Sequence, residues 1–283
     1  MKNKGKLLII DGHNLLFQMF FGMPNKIINK DGIAIQGVIG FVGAFLKIIN
    51  KVNPTHLVVL FDSEHKNERN ELLETYKANR IDYSTVDEID NPFSQLQYIY
   101  NALEYMNIKY HEVKKYETDD VIASYVFKYQ NDYEIIISSY DSDFFQLINN
   151  NVKVLRYKGD NTIICDEEYI KNKLNINPCL YADFKALTGD TADNIKGVEK
   201  IGKVTASTLI NMYGPIEKII ENIDTFNKIS VIKSIKNNIE KIHLNYKLIK
   251  LNNRDEIPFT IDELNISIKE NKTTNVLVGI GLK

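Results

Sequence analysis

Residues 7–12 read LLIIDG, a short apolar run that ends in an acid. Residues 57–62 (LVVLFD) and residues 134–143 (EIIISSYDSD) follow the same pattern. Continuous apolar runs of this length are typical of strands buried on both faces, as in a parallel sheet covered by helices. Segments of helical length, with apolar residues at helical spacing, separate these runs: residues 35–50, 94–106 and 119–129. The alternation predicts an α/β fold with a central, mostly parallel sheet and helices on both faces.

Each predicted strand leads into an acid: Asp11, Asp62, and the pair Asp141 and Asp143. In an open parallel sheet, the carboxyl ends of the strands face the functional crevice. One aspartate after a strand is weak support for a site, because aspartate is common in turns. Three strands that end in the same way indicate that the acids meet at one edge of the sheet.

Two further acidic motifs are residues 117–120 (ETDD) and residues 190–193 (DTAD). Each contains acids spaced i,i+3, which project from one side of a helix. Simpler explanations exist for both motifs. Acids at 117–120 would cap the helix that follows them, and residues 190–193 could be a polar loop.

Together these motifs supply nine carboxylates. They are Asp11, Asp62, Glu117, Asp119, Asp120, Asp141, Asp143, Asp190 and Asp193. Carboxylates crowded into one crevice repel one another, and their pKa values rise unless bound cations compensate. Oxygen ligands favour Mg²⁺ or Mn²⁺ over Zn²⁺, and two such ions would flank the attacking and leaving oxygens of a phosphodiester. We therefore predict two or more Mg²⁺ or Mn²⁺ ions; a scattered set of solvated turn acids is the competing interpretation.

Residues 69–80 read RNELLETYKANR, and their spacing predicts a helix. Tyr76, Lys77 and Arg80 would then present an aromatic ring and two cations one turn apart. Such a helix could stack a base and hold phosphates, although a solvated amphipathic helix is the simpler interpretation. The polar stretch that follows, residues 81–91, is expected to be a loop over the crevice.

A sequence pattern typical of helices begins near residue 177. Asn177 and Pro178 are a suitable helix start, and the predicted helix ends at Thr188. Residues 195–203 (IKGVEKIGK) form a turn with glycines and lysines before a second predicted helix, residues 204–212. This arrangement resembles a helix-hairpin-helix element, in which backbone N–H groups approach a phosphate closely. A generic helix connection is the alternative.

Composition is that of an ordinary globular chain of 283 residues with a net charge of −2. That charge excludes a strongly polycationic protein, and two cysteines are too few for a disulfide framework or a cysteine-rich zinc site. We find no targeting or membrane-spanning pattern. Setting the nine acids aside leaves 28 acidic residues against 35 basic ones. Near-neutrality therefore combines an acidic site with a basic body able to bind nucleic-acid phosphates.

As a set, the motifs resemble the 5′ nuclease (flap endonuclease) family, in particular the 5′–3′ exonuclease domain of bacterial DNA polymerase I and its free-standing relatives. They stand in the family's order and at its spacing over about 200 residues. The stretches that carry the resemblance are residues 7–12, 54–62, 69–80, 117–123, 141–147 and 186–206.

This resemblance implies a fold and an activity. A PIN-like nuclease core would span residues 1–176, with an arch region at about 63–98, and a helix-hairpin-helix DNA-binding region with a C-terminal tail would span residues 177–283. The enzyme would be a monomer of the bacterial cytoplasm, with no membrane association, that cuts 5′ flaps and degrades DNA from nicks and 5′ ends, including RNA primers paired to DNA. No polymerase domain follows, so the chain would be a stand-alone form; a polymerase partner is left open.

The resemblance also implies roles for single residues. One metal cluster would be served by Asp11, Asp62, Glu117, Asp119 and Asp120, and the other by Asp141, Asp143, Asp190 and Asp193. Lys77 and Arg80 would reach the scissile phosphate, Tyr76 would stack on the terminal base, and Arg69 would belong to the same catalytic set. The duplex would be gripped by the hairpin, whose backbone carbonyls often hold K⁺ in the family. The hairpin residues concerned are Gly197, Lys200, Gly202, Lys203 and Thr205.

Several positions depart from the family pattern. Gln18 stands where arginine is usual, and Tyr140 stands where glycine is usual. Ile81 replaces a proline after Arg80, and in the hairpin Lys200 and Val204 replace a common glycine and lysine. None of these changes removes a predicted metal ligand, so we expect them to affect rate or substrate preference.

Two other functions remain open at this point. A PIN-type ribonuclease would share the acidic α/β crevice, but it would lack both the hairpin and the segment 69–80. A non-catalytic protein that binds branched DNA would gain nothing from a repulsive acidic cluster that faces phosphates.

Overall fold

The apolar runs of the sequence form the centre of a six-stranded sheet. The computed structural model describes residues 5–30, 32–63, 68–254, 256–267 and 271–282. The strands are β1 (Gly5–Asp11), β2 (His56–Asp62), β3 (Tyr110–Val113), β4 (Tyr133–Ser138), β5 (Val152–Arg156) and β6 (Ile163–Cys165). Their order across the sheet is β3-β2-β1-β4-β5-β6. All neighbouring strands are parallel except β5 and β6, which are antiparallel.

Both faces of the sheet are buried, because successive side chains of a strand point to opposite faces. In β1, Leu7 and Ile9 belong to one apolar core, whereas Leu8 and Ile10 belong to the other. All four side chains are fully buried. The prediction of a mostly parallel sheet buried on both faces is therefore confirmed.

Helices cover the two faces. They are α1 (Gly12–Gly22), α2 (Gln36–Val52), α3 (Glu68–Leu72), α4 (Leu96–Tyr105), α5 (Thr118–Tyr129), α6 (Glu167–Leu174), α7 (Tyr181–Thr188), α8 (Lys203–Tyr213), α9 (Ile216–Asn222), α10 (Ile229–Lys236), α11 (Ile239–Ile249) and α12 (Thr273–Gly279). One core is shared by the sheet with α1, α2, α4 and α12. The other is shared by the sheet with α5 and with apolar residues of α6 to α11. The C-terminal helices therefore pack against the face that carries α5.

Three of the predicted helices are confirmed as α2, α4 and α5. The helix predicted over residues 69–80 is wrong, because α3 ends at Leu72 and turns follow it. Lys77 has a φ of 56°, in the left-handed region, which no right-handed helix contains. The rest of the expected arch, up to residue 98, contains short 3₁₀ turns and the start of α4; residues 64–67 of this region lie outside the described residues.

The expected pair of helices around the hairpin is present. A 3₁₀ turn, Pro178–Leu180, starts with the Asn177 side chain accepting a hydrogen bond from the Cys179 N–H, and it leads into α7. Strands β7 (Gly189–Asp190) and β8 (Ile195–Lys196) form a small antiparallel ribbon before α8. Among the described helices, none is both long and apolar enough to cross a membrane.

Candidate active site

The predicted meeting of acids at one edge of the sheet is observed. Asp11 ends β1, Asp62 ends β2, and Asp141 lies just beyond the end of β4. These three strands are neighbours, with β1 between the other two. The Asp62 carboxylate accepts a hydrogen bond of 3.0 Å from the N–H of Thr118, which ties the end of β2 to the start of α5. That contact brings the ETDD motif to the same edge.

The acids line an open cavity of about 760 Å³ at this edge. Its acidic lining consists of Asp11, Asp62, Asp82, Glu117, Asp119 and Asp141. Lys77 and Arg80 line the same cavity, so two cations from the 69–80 segment face the acids. The cavity therefore combines oxygen ligands for a cation with basic groups that could contact a phosphate.

Burial and mutual repulsion raise the pKa values of acids that form no ion pair. Burial raises the pKa of Asp11 to about 7, and Asp62 and Asp141 add to the rise. Burial also raises the pKa values of Asp119 and Asp141, each with a further contribution from neighbouring acids. Among the described residues, none of Asp11, Asp62, Asp119 and Asp141 forms an ion pair. A divalent cation held by oxygen ligands would remove this imbalance, so the residues fit such an ion.

A second acidic group adjoins the first. One carboxylate oxygen from each of Asp143, Asp190 and Asp193 lies within 4.8 Å of the others. The Asp143 N–H donates to the Asp141 carboxylate at 2.8 Å, which links the two groups. The Asp143 Oδ1 atom is buried without a hydrogen-bond partner, and burial raises the pKa of Asp143 well above its ordinary value. A buried oxygen without a hydrogen bond in an all-carboxylate set also fits a divalent cation.

Cations of the protein already contact this second group. The Lys185 ammonium forms a hydrogen bond with Asp190 and lies 3.8 Å from Asp143. Arg80 Nη2 lies 3.0 Å from Asp193. Lys185 was not identified from the sequence; its only signal there is that it precedes Asp190 by five residues on a predicted helix. The second group is therefore partly neutralised, whereas most of the first group is not.

Glu117 and Asp120 both contact Arg69, as their i,i+3 spacing allows. Arg69 Nη1 donates to Glu117 at 2.6 Å, and Arg69 Nη2 donates to Asp120 at 2.9 Å. Arg254 Nη2 donates to the other Asp120 oxygen at 2.9 Å, and the N–H of Asn252 donates at 3.0 Å to the oxygen that Arg69 Nη2 contacts. Asp120 is fully buried.

The prediction that Asp120 joins the crevice as a metal ligand is corrected by this arrangement. Both of its oxygens are held by arginines and by backbone, and it is not part of the cavity lining. Arg69 likewise lies 4% exposed beneath the acids, where it also donates to the carbonyl of Leu248. It orients Glu117 and cannot touch a substrate in this arrangement.

Tyr76 differs from its predicted role. Only 3% of its surface is exposed, and its ring packs in an apolar cluster with Ala182, Ile195 and Leu248. Stacking of this ring on a terminal base is therefore excluded in the observed arrangement. Its hydroxyl instead lies 3.4 Å from Glu117.

Hydrogen bonds to the backbone of residues 75 and 77 hold Lys77 and Arg80 next to the acids. The Lys77 N–H donates to the Asp193 carbonyl at 3.1 Å, and the Asn194 side chain donates to the Thr75 carbonyl at 2.8 Å. Lys77 Nζ lies 2.7 Å from Glu117. Burial works against the Lys77 ammonium, but the charges of Glu117 and Asp193 outweigh it and raise the pKa of Lys77. Lys77 is thus charged at neutral pH.

Part of the cavity lining is aromatic, a feature that the sequence motifs did not predict. The rings of His13 and Phe93 lie 5.2 Å apart, and the rings of Phe17 and Tyr83 lie 5.4 Å apart. Phe17 also lies 5.3 Å from Phe93, so the four rings are continuous. His13 and Phe17 are spaced i,i+4 directly after Asp11, and this spacing is the signal that could have revealed them.

In the hairpin, the predicted residues lie at or near the surface. Lys200, Gly202 and Lys203 are exposed, whereas Gly197 and Thr205 are half-buried. A Cβ atom on Gly197 would lie 2.3 Å from the Thr188 carbonyl oxygen, so the chain requires glycine there. The Gly197 carbonyl accepts a hydrogen bond of 2.7 Å from Lys241 Nζ. The hairpin thus presents open backbone at the start of α8 and a carbonyl that already contacts a cation.

Two protein-family models together match residues 6–272. Residues 6–175 match the model of the 5′–3′ exonuclease N-terminal resolvase-like domain, and residues 176–272 match the 5′–3′ exonuclease C-terminal SAM fold. The chain belongs to the 5′–3′ exonuclease family. The resemblance drawn from the sequence motifs is therefore confirmed, and the acids above are those of a family member.

Two curated relatives illustrate the match. A 5′–3′ exonuclease of Aquifex aeolicus is 30% identical over 262 residues, which are 92% of this chain and 86% of that protein. The thermostable DNA polymerase I of Thermus thermophilus is 30% identical over 260 residues, which are 92% of this chain. The chain spans about 30% of the length of that polymerase.

Solved structures share the fold. The D15 flap endonuclease of bacteriophage T5, in a pseudo-enzyme–product complex with DNA and metal ions, superposes with a TM-score of 0.71 at 21% identity and covers 97% of this chain and 99% of its own. The catalytic core of Rad2 in complex with DNA substrate gives a TM-score of 0.58 at 14% identity, with 98% of this chain and 93% of that chain covered.

Proposed function

We propose that this 5′–3′ exonuclease family member is a divalent-metal-dependent 5′ nuclease that hydrolyses phosphodiester bonds in DNA at 5′ ends, nicks and 5′ flaps. One observation carries the proposal. Asp11, Asp62, Glu117, Asp119 and Asp141 line a single open cavity together with Lys77 and Arg80, and the group of Asp143, Asp190 and Asp193 adjoins it through the hydrogen bond between Asp143 and Asp141. Oxygen-only ligands favour Mg²⁺ or Mn²⁺ as the ions.

The residues of the chain would divide the work. Asp11, Asp62, Glu117 and Asp119 would hold one ion, and Asp143, Asp190 and Asp193 would hold another. Asp141, which was expected to serve the second ion, lines the cavity with the first set and would join it. When bound, such ions supply an activated water and neutralise charge on the phosphodiester. Lys77 and Arg80 would contact the phosphate and stabilise the negative charge that develops on it. Arg80 is suited to this because its side chain is 54% exposed and so can leave Asp193 for a phosphate.

The proposal extends to the hairpin. Exposed Lys200 and Lys203, with the open backbone at Gly202, would hold phosphates of the duplex. Gly197 and Thr205 flank this contact surface. A K⁺ ion bound by hairpin carbonyls would take up the kind of contact that Lys241 makes with Gly197.

Substrate range and setting are further parts of the proposal. RNA primers paired to DNA would be cut by the same site, because the ligands act on the phosphate and not on the sugar. A monomer acting in replication and repair in the bacterial cytoplasm, with or without a separate polymerase partner, is consistent with this activity.

The direct test compares a labelled 5′-flap duplex, single-stranded DNA and single-stranded RNA, each with Mg²⁺, Mn²⁺ or EDTA. We expect cleavage of the flap duplex with either metal and none with EDTA. Preference for single-stranded RNA would support a PIN-type ribonuclease instead. Tight flap binding without cleavage under any condition would support a non-catalytic binder.

Asp141→Asn is the variant that tests the site. It should abolish cleavage of the flap duplex and leave flap binding largely intact, since the amide cannot replace a charged ligand. Asp132→Asn is the matched control, because Asp132 is exposed and directly precedes β4, at the end of the strand opposite to Asp141. Full activity of Asp141→Asn would contradict the proposed function.

A further inference from the structure

Tyr140 directly precedes Asp141, a residue of the cavity lining. Its backbone is held on both sides. The Tyr140 N–H donates to Asn14 Oδ1 at 2.9 Å, and its carbonyl accepts from Arg156 Nη2 at 2.9 Å. Asn14 and Asp141 both line the cavity. The Cα atom of Tyr140 is about 3.8 Å from the Cα atom of Asp141, a proposed metal ligand.

Arg156 supports this ring from the neighbouring strand. Its guanidinium carbon lies 5.8 Å from the centroid of the Tyr140 ring and 4.5 Å from that of Phe145. Phe145 is buried, with 2% of its surface exposed, so one partner of the arginine is anchored in the core. Tyr140 keeps 36% of its surface exposed. An aromatic ring is thus fixed by backbone contacts and cationic packing while part of its surface remains open.

The position of Tyr140 along the sheet edge gives it a direction. Asp62, Asp11 and Asp141 follow the strand order β2-β1-β4, and Arg156 ends β5, the next strand in that order. The arch segment follows β2, at the other side of the acids. Tyr140 and Arg156 therefore extend the edge past the acids, away from the side on which the arch segment leaves the sheet.

Helix α1 closes the back of this surface. Asn14 and Gln18 are spaced i,i+4 and lie on one face of the helix. Asn14 holds Tyr140, and the Gln18 side chain donates to the carbonyl of Tyr157, the residue after Arg156. Gln18 and Tyr140, two of the departures from the family pattern, are therefore neighbours in one small assembly.

We propose that Tyr140, held by Arg156, is a stacking subsite for the nucleobase next to the scissile phosphate, on the β5 side of the acids. This inference rests on the proposed nuclease function. A strand whose scissile phosphate lies over Asp11 and Asp141 places the adjoining nucleotide beside these acids, and Tyr140, the residue before Asp141, offers a partly exposed ring there. Base–aromatic stacking tolerates any sequence, as a nuclease that acts at arbitrary 5′ ends requires.

The test combines enzyme variants with abasic substrates. A set of flap duplexes is prepared, each with one abasic site. The site lies at the first or the second nucleotide on either side of the cleavage position. Tyr140→Ala should raise KM about fivefold or more on the intact flap, the lower range for loss of one base stack, with a smaller change in kcat. Tyr140→Phe, which keeps the ring, should behave as the wild type does.

The base that stacks on Tyr140 is identified by the position at which the losses from the abasic site and from Tyr140→Ala do not combine. At one abasic position, the wild type should lose the same factor as Tyr140→Ala, and the variant should lose nothing further. At the other positions, the two losses should multiply. A purely structural role of Tyr140 would give the same loss with every substrate.

Phe127→Ala is the matched control, because Phe127 is an aromatic residue of similar exposure, 39%, in the last turn of α5, away from the acids at the start of that helix. It should match the wild type on all substrates. Arg156→Gln, with its melting temperature checked, should weaken binding in the same direction as Tyr140→Ala, since the ring loses its support.

Different results would overturn the stacking subsite and the proposed nuclease function. If the wild type cuts the flap and Tyr140→Ala equals it on every substrate, the stacking subsite is overturned and the nuclease function stands. If the wild type cuts nothing, the proposed function fails, and the same cycle measured by equilibrium flap binding then decides the subsite. Equal binding by wild type and Tyr140→Ala in that case would overturn it.

Discussion

Lys185 places its ammonium against the carboxylate of Asp190 and 3.8 Å from that of Asp143. Burial disfavours its charge, but Tyr181, Asp143 and Asp190 outweigh burial and raise the pKa of Lys185. The second acidic group therefore contains a permanent internal cation that contacts two of its carboxylates, whereas the cations of the first group, Arg69 and Lys77, are paired with Glu117. A metal ion that enters the second group must compete with this lysine.

Lys185→Met should therefore strengthen binding of a divalent cation at the second group. We expect two classes of Mn²⁺ site in titration calorimetry of the wild type, and in the variant a gain of about tenfold, or 1.4 kcal/mol, in the weaker class alone. Lys171→Met, at an exposed lysine of α6, is the control and should leave both classes unchanged. Unchanged or weaker Mn²⁺ binding by Lys185→Met would show that the lysine supports the site and does not compete for it.

Arg254→Met should destabilise the fold, because Arg254 connects the C-terminal segment to the buried Asp120. Loss of hydrogen bonds to a buried charge costs about 1.5–3 kcal/mol, and Arg69 remains to prevent a larger loss. Urea unfolding measures the effect. Glu68→Gln, which removes the exposed second partner of Arg254, should cost no more than about 1 kcal/mol. Equal stability of Arg254→Met and the wild type would contradict this account.

Asp11 makes the metal-free protein sensitive to pH. Its pKa is raised from 3.8 to about 7 in the folded state, mainly by burial. The folded state therefore binds more protons than the unfolded state between these values, so the free energy of unfolding falls as the pH rises from about 4 to 7. Burial likewise raises the pKa values of Asp119 and Asp143, which act in the same direction.

Asp11→Asn should remove part of this decline. In EDTA, the variant should gain about 2–4 kcal/mol relative to the wild type at pH 7 compared with pH 4. Unfolding midpoints in urea at the two pH values measure the difference. Asp132→Asn, at an exposed position, should track the wild type. An equal stability difference between Asp11→Asn and the wild type at the two pH values would contradict the raised pKa of Asp11.

Gly197 and Gly202 form a matched pair in the hairpin. A Cβ on Gly197 would lie 2.3 Å from the Thr188 carbonyl oxygen, whereas nothing lies within 4 Å of a Cβ on Gly202. Gly197→Ala should cost about 1–3 kcal/mol or more in unfolding free energy, and Gly202→Ala should cost within about 0.5 kcal/mol. Thermal melts distinguish the two. Equal melting temperatures would mean that the β7–β8 ribbon can move away from α7 without loss.

Much of the fold could be predicted from local patterns. The LLIID and LVVLFD runs identified β1, β2 and their acids, because a strand buried on both faces must be apolar throughout and its carboxyl end must leave the sheet at the crevice. The i,i+3 spacing of Glu117 and Asp120 correctly indicated a shared side, since both contact Arg69. The helix at 69–80 was wrong, because docking of Lys77 on Asp193 and of Thr75 on Asn194 overrides the helical spacing.

The sequence by itself determined the sheet, the edge at which the acids meet and the oxygen-only chemistry of the site, since these follow from residue types within a few positions of one another. Only the tertiary structure decided which acids face the crevice and which are held by arginines or lysine. Asp120 is removed from the crevice by Arg69, 51 positions before it, and Arg254, 134 positions after it. Tyr140, just beyond β4, is held by Arg156 at the end of the neighbouring strand β5. Contacts of this kind depend on how distant segments pack, and no local spacing records them.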